Sequence, residues 1–158
     1  MAERWAGIVA TGGSITMVDA EVPEDDDEPI IINADQTWKL QKGDPAEAYH
    51  ILYQQCVNYI EENEIDLVVV KASATLGRGG MKLAHLIGAE VRGVIVAAAA
   101  SVCKVKIAPT AVISRTYGER KFDEYLKDDD FWSEHTIGNE LRVGSRAAAM
   151  LMVAQRII

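Results

Sequence analysis

Apolar and polar positions alternate in short runs at the start of the chain. Arg4 to Ala10 (RWAGIVA) is short and apolar and leads into Thr11-Gly12-Gly13-Ser14. Ile15 to Val22 alternates again. The pair predicts a hairpin around glycines that tolerate the positive φ of a tight turn. Pro29 to Ala34 (PIIINA) predicts a third strand and completes an antiparallel meander. Asp44-Pro45-Ala46-Glu47 then has the form of a helix start: a carboxylate cap, proline at the first position, glutamate at the third. Ala48, Ile51, Leu52, Cys56, Tyr59 and Ile60 recur at helical spacing through Glu62. Asp66 to Ala72 (DLVVVKA) is almost continuously apolar, the pattern of a strand buried on both faces.

Beyond a glycine-rich loop from Ser73 to Gly80, Met81 to Ala100 reads as a long helix. The loop lacks the Gly-Lys-Ser/Thr ending of a phosphate loop. Gly88 and Gly93 are costly inside a helix unless another backbone comes close, and Ala97 to Ala100 equally permits close approach. Val102 to Ala108 predicts a fifth strand, with Lys104 and Lys106 on one face and Cys103 on the other. A short helix from Pro109 to Tyr117, a polar helix near Glu119 to Lys127 and a final helix from Glu140 to Ile158 follow. The order predicts one α/β domain over residues 1–158. It is a five-stranded mixed sheet, an antiparallel meander followed by parallel strands, with helices on both faces.

Composition sharpens this picture mainly through charge. A chain of 158 residues can bury a core without disulfide or metal staples. Its formal net charge of −8 excludes a uniformly basic coat for nucleic acid, though not a local basic patch. The asymmetry is internal. Residues 1–66 hold 15 acids and 3 bases, whereas residues 71–121 hold 9 bases and 2 acids. The run Glu24-Asp25-Asp26-Asp27-Glu28 between Pro23 and Pro29 reads as an exposed, self-repelling loop, or a strip for a basic protein partner. The first residues form no signal-peptide core. The most apolar stretch, Gly93 to Val102, is too short to span a bilayer, so the expectation is a cytoplasmic protein without membrane contact. Cys56 and Cys103 fit a reducing compartment and show no zinc spacing.

Taken in order, the elements resemble the ribonuclease H-like fold, and more narrowly the Holliday-junction resolvases of the RuvC type. Arg4-Trp5-Ala6-Gly7-Ile8-Val9 is similar to that family's opening strand, Arg-x-x-Gly-Ile-Asp. Leu67 to Lys71 resembles its central strand, which ends in a catalytic glutamate. Lys82-Leu83 through Ala98 resembles its long glycine-containing helix. Pro109-Thr110-Ala111-Val112, closing at Gly118, resembles its short helix, with Ile113 where the family carries a lysine. Arg146-Ala147-Ala148-Ala149 resembles its final helix. The resemblance implies a homodimer packed partly through Met81 to Ala100, and DNA, branched or duplex, as a partner reached through residues 71–121.

Family chemistry uses two Mg²⁺ ions held by about four carboxylates to activate water at a phosphodiester. On this alignment the carboxylate positions are Val9, Lys71 and a set among Arg142, Ser145 and Arg146. An ammonium and guanidinium reverse the sign of the Coulomb interaction with a cation. The resemblance therefore implies a RuvC-like protein without catalytic residues, metal or cofactor, binding through Lys71, Arg78, Lys82, Arg142 and Arg146. Lys71 and an arginine of the final helix are expected to face a shared space. Two alternatives stay open. One is a metal-dependent nuclease rebuilt on Asp19, Asp35, Asp66 or Glu140; the other is a purely protein–protein regulatory module. His50, His85 and His135 share no ligand spacing, and Ser73 and Ser145 have no nearby histidine motif.

Overall fold

The computed structural model describes residues 2–73 and 82–158. Strands β1 (Glu3–Thr11) and β2 (Ser14–Val22) form the predicted hairpin, closed by Gly12 at φ +58°. β3 is Ile30–Lys39, α1 Pro45–Glu62, β4 Leu67–Lys71, α2 Leu83–Ala100 and β5 Lys104–Ala108. Three short helices follow: α3 Thr110–Ile113, α4 Phe122–Leu126 and α5 Asp129–His135. Strand β6 (Thr136–Gly138), a 3₁₀ turn (Val143–Ser145) and α6 (Arg146–Gln155) complete the chain.

The described strands form one sheet in the order β5-β4-β1-β2-β3-β6. β1, β2 and β3 are antiparallel neighbours; β4 is parallel to β1, β5 to β4, and β6 to β3. The expected mixed α/β architecture is present, but the sheet has six strands rather than five. β6 is three residues long and pairs only with Ile30–Ile32, too short to leave an alternation in the sequence. The expected helix from Glu140 is also shorter. Gly144 lies in the 3₁₀ turn, and α6 proper starts at Arg146.

Each face of the sheet carries its own core. On one, α1 and α2 cover Ala6, Ile8, Ile15, Met17, Val68 and Val70. On the other, α6 and the short helices cover Val18, Ile30, Ile32 and Val69. Val68, Val69 and Val70 are all wholly buried, which explains the unbroken apolar run of β4. Asp44 caps α1 by accepting from the Ala46 amide at 3.1 Å. A Cβ at Gly7 would collide with the Ala148 carbonyl, so its glycine lets α6 lie directly on β1. A Cβ at Gly88 would similarly lie 3.2 Å from the Gly12 amide nitrogen of the hairpin, while among the described residues nothing lies within 4 Å of a Cβ at Gly93.

Helix α2 extends the apolar stretch noted above. Its 18 residues, at mean hydropathy 1.6, meet the length and composition of a membrane span. Here it lies on the sheet, burying Gly88, Val91, Ile95, Ala98 and Ala99.

Candidate functional site

Sheet register decides which side chains meet where the resemblance puts its carboxylates. Ile8 pairs with Val70, so Val9 and Lys71 are the next neighbours along β1 and β4. Val9 also pairs with Thr16, and Thr16 with Thr37. Lys71, Val9, Thr16 and Thr37 therefore form one row across four strands, on the face that carries α6. The two positions aligned from sequence alone are side by side, and neither side chain is acidic.

The Lys71 ammonium lies 5.5 Å from the centroid of the Phe122 ring, a cation–π contact to α4. No carboxylate bridges to it among the described residues. Arg142 is placed elsewhere, at the β3 side of the row. Its guanidinium donates to Asp35 at 2.7 and 3.0 Å and to Thr37 Oγ1 at 2.9 Å, and its backbone amide donates to Asp35 at 3.0 Å. Ser145 Oγ donates to the same carboxylate at 2.6 Å. Burial alone would raise the Asp35 carboxyl, but the bonds from Arg142 and Ser145 outweigh it and hold the group below the usual carboxylate range. Arg146 turns towards α4 and α5, donating to the Leu126 carbonyl at 3.0 Å and pairing with Asp129 at 2.8 Å. The three cations thus have three separate sets of partners rather than one common anion.

Sequence reasoning ended the third strand at Ala34 and so missed the Asp35–Thr37 clamp on Arg142. Strand β3 shifts register opposite Asp19 and Ala20. Ile30 and Ile32 face the α6 core, and beyond the shift Asp35, paired with buried Val18, and Thr37 take over that face. The alternation of Asp35-Gln36-Thr37-Trp38-Lys39 was the available signal.

The carboxylates considered for a relocated metal site do not converge. Asp19 is wholly buried on the opposite face, bound by the Arg4 guanidinium at 2.9 and 2.7 Å and by the Tyr59 hydroxyl at 2.8 Å. Asp66 accepts from the Arg4 amide at 2.9 Å. Glu140 lies in a cleft with Arg146. Among the described residues, no group of three His, Cys, Asp or Glu side chains could hold a metal ion. Val9 and Lys71, the positions that the sequence resemblance aligns with carboxylates, carry no acidic group to hold a cation.

The basic block does not gather onto one face. Lys104 and Lys106 are exposed on the edge strand β5. Arg120 pairs with Asp128 at 3.0 Å on the α4 side, whereas half-buried Arg92 bonds Ser73 on the α2 side. Arg78 lies outside the described residues. Lys82 is exposed at the start of α2, whose first turn reaches the β1–β2 turn through Ala84 and Gly12. This end of the sheet holds Lys39, Lys42, Lys71 and Lys82, with Asp44 and Glu47. The opposite end holds Glu3, Glu21, Glu24–Glu28, Glu61, Glu62, Glu64 and Asp66, together with Arg4, Lys104 and Arg156. The acidic run is exposed, as expected, yet it is also anchored. Nearly buried Arg156 donates to the carbonyls of Pro23, Asp25 and Glu28 at 2.8, 2.6 and 2.5 Å.

No protein-family model matches this chain, and no curated protein matches it in sequence. Solved structures do match in shape. Thermus thermophilus RuvC superposes with a TM-score of 0.69 at 9% identity, over 96% of this chain and 92% of that one. The same organism's RuvC in complex with a Holliday junction substrate gives 0.68 at 12%, over 96% and 91%. The yeast mitochondrial Holliday junction resolvase Ydc2 gives 0.65 at 10%, over 98% and 78%. The chain has the ribonuclease H-like fold in its RuvC form. At these identities the likeness extends to the backbone course and not to the site chemistry.

Proposed function

We propose that this protein binds nucleic acid through the RuvC-like fold without cleaving it. The observation that carries the reading is the row across the sheet: Val9 and Lys71 stand side by side where the resemblance calls for two carboxylates. A lysine there repels Mg²⁺ and attracts a phosphodiester. Lys71 with Lys82, Lys39 and Lys42 makes the strand-end pole the side that meets the nucleic acid. The acidic pole faces away. The solved relatives include a RuvC bound to a Holliday junction, which makes a four-way junction the first ligand to test.

The proposal includes a cytoplasmic homodimer. On α2, Leu86 is 47% exposed, and Gly93, Ala97 and Ala100 are exposed along the same helix, offering a second copy a strip of small and apolar residues interrupted by Glu90. Light scattering should give twice the monomer mass, and Gly93→Leu should give the monomer. A monomeric wild type at high concentration removes the dimer from the proposal. A basic protein docking on Glu24–Glu28 is the second reading, favoured by the fixed shape that Arg156 gives the loop. The test between them is anisotropy of a labelled four-way junction against salt. A nucleic-acid binder loses affinity steeply as salt rises, with a slope set by the number of phosphates neutralised. Lys71→Glu should weaken binding and flatten that slope. Absence of any junction binding at low salt would leave the protein-docking reading in its place.

A further inference from the structure

A groove between β3 and α1, on the sheet face away from Lys71, concentrates one kind of chemistry. The chain has five glutamines. Four of them, Gln36, Gln41, Gln54 and Gln55, line this groove together with Asn58. Ile51, Gln54, Gln55, Asn58 and Glu62 recur at helical spacing and give α1 one nearly uncharged polar face. Among the described residues, Glu62 is the only charged side chain lining the groove. In a chain that is one-quarter charged, this absence of charge is a local departure.

The floor is aromatic. Trp38 and Tyr59 meet edge to face with ring centroids 5.7 Å apart. The Trp38 indole donates to Gln36 Oε1 at 3.0 Å, and the Tyr59 hydroxyl to Asp19 at 2.8 Å. Both rings are thus fixed by hydrogen bonds as well as packing. A carboxamide presents a donor and an acceptor side by side, the arrangement that reads the edge of adenine in a bidentate pair. Bases of unpaired strands are recognised in this way, by hydrogen bonds to their edges and contact with aromatic rings. Exposed Lys39 and Lys42 neighbour Trp38 and Gln41 in the chain but do not line the groove; Lys39 lies on the Thr37 face and donates to Ser14 Oγ at 3.0 Å.

We propose that this groove receives an unpaired adenine from the nucleic acid held at the basic pole. The proposal rests on the nucleic-acid reading above and assigns a base-reading site at a distance from the Lys71 row. Fluorescein-labelled single-stranded 12-mers, identical except for one central position carrying adenine, thymine or an abasic site, test it by anisotropy at low salt. Wild type should bind the adenine strand at least tenfold tighter than the abasic one, with thymine between them. Gln54→Ala/Gln55→Ala alters two exposed helical positions with good helix formers, and should bring the adenine-to-abasic ratio to within twofold. Equal affinities for adenine and abasic strands in wild type would overturn the site, as would survival of the tenfold ratio in the double variant. In either case junction binding would persist and leave the broader reading standing. Failure of wild type to bind both the strands and the four-way junction would instead remove the nucleic-acid reading, and this site with it.

Discussion

Gly7→Ala and Gly93→Ala, two glycine-to-alanine changes, should move stability in opposite directions. At Gly7 the new methyl group would meet the Ala148 carbonyl of α6, with the Met152 side chain behind it at 3.5 Å. The obstacle is backbone, so relief requires α6 to shift from β1 and loosens a core that includes wholly buried Ala148, Ala149 and Met152. Overpacking of this kind costs about 1–3 kcal/mol, and a backbone obstacle puts Gly7 at about 3 kcal/mol. For a domain of this size that lowers Tm by on the order of 10 °C. At Gly93 nothing among the described residues lies within 4 Å of the new atom, and the residue sits inside a helix. Alanine there should gain roughly 0.5–1 kcal/mol through reduced chain entropy. The assay is urea and thermal denaturation of both variants at a protein concentration low enough for monomers. A Gly7→Ala loss below about 0.5 kcal/mol, on the same scale of overpacking costs, would refute the direct seating of α6 on β1. A destabilised Gly93→Ala monomer would refute the open space beside α2.

Three other perturbations test separate parts of the structure. The Asp35 carboxyl is held below its ordinary range in the folded protein, so its contribution is present above the unfolded value of about 3.9 and is lost as pH falls through the folded value. Asp35→Asn should remove that acid-side slope from the stability curve, and an unchanged slope below pH 4 would contradict the Arg142–Ser145 clamp. Arg156→Ala should cost about 2 kcal/mol and speed amide hydrogen exchange through residues 23–28; exchange at the wild-type rate would show that the loop keeps its shape without Arg156. Burial pushes the Cys56 thiol up to about 12, so the native protein should leave it unmodified by thiol reagents at pH 8, and rapid labelling of Cys56 would contradict its place on the buried face of α1.

Much of the fold was legible because several elements carry strong local signals. The Gly-Gly hairpin, the Asp44-Pro45 helix start and the apolar run of β4 each have a physical cause confined to a few residues, and all three are present. Register then sets Val9 and Lys71 side by side on neighbouring strands. The later elements were harder to read. β6 is defined by pairing with β3 across more than a hundred residues, and α5 is one short turn-rich helix whose Phe131 and Trp132 face a shared aromatic cluster. The site was legible only in part for a related reason. The register shift in β3 moves Asp35 and Thr37 onto the α6 face, and a strict period of two stops at that point. The partners of Arg142 and Arg146 likewise depend on where the chain before α6 crosses the sheet edge, which residue spacing does not encode. The amide groove is divided between β3, the loop after it and α1, so its four glutamines look scattered until the fold assembles them.

The most direct test of the central claim follows one labelled four-way junction through two readouts in the same mixture, with Mg²⁺ or Mn²⁺ present. Anisotropy reports binding, and a denaturing gel reports strand cleavage. The account predicts binding that weakens steeply with salt and no nicked product over hours at saturating protein. Metal-dependent product that disappears on Asp35→Asn or Asp66→Asn would contradict it and establish a relocated nuclease site.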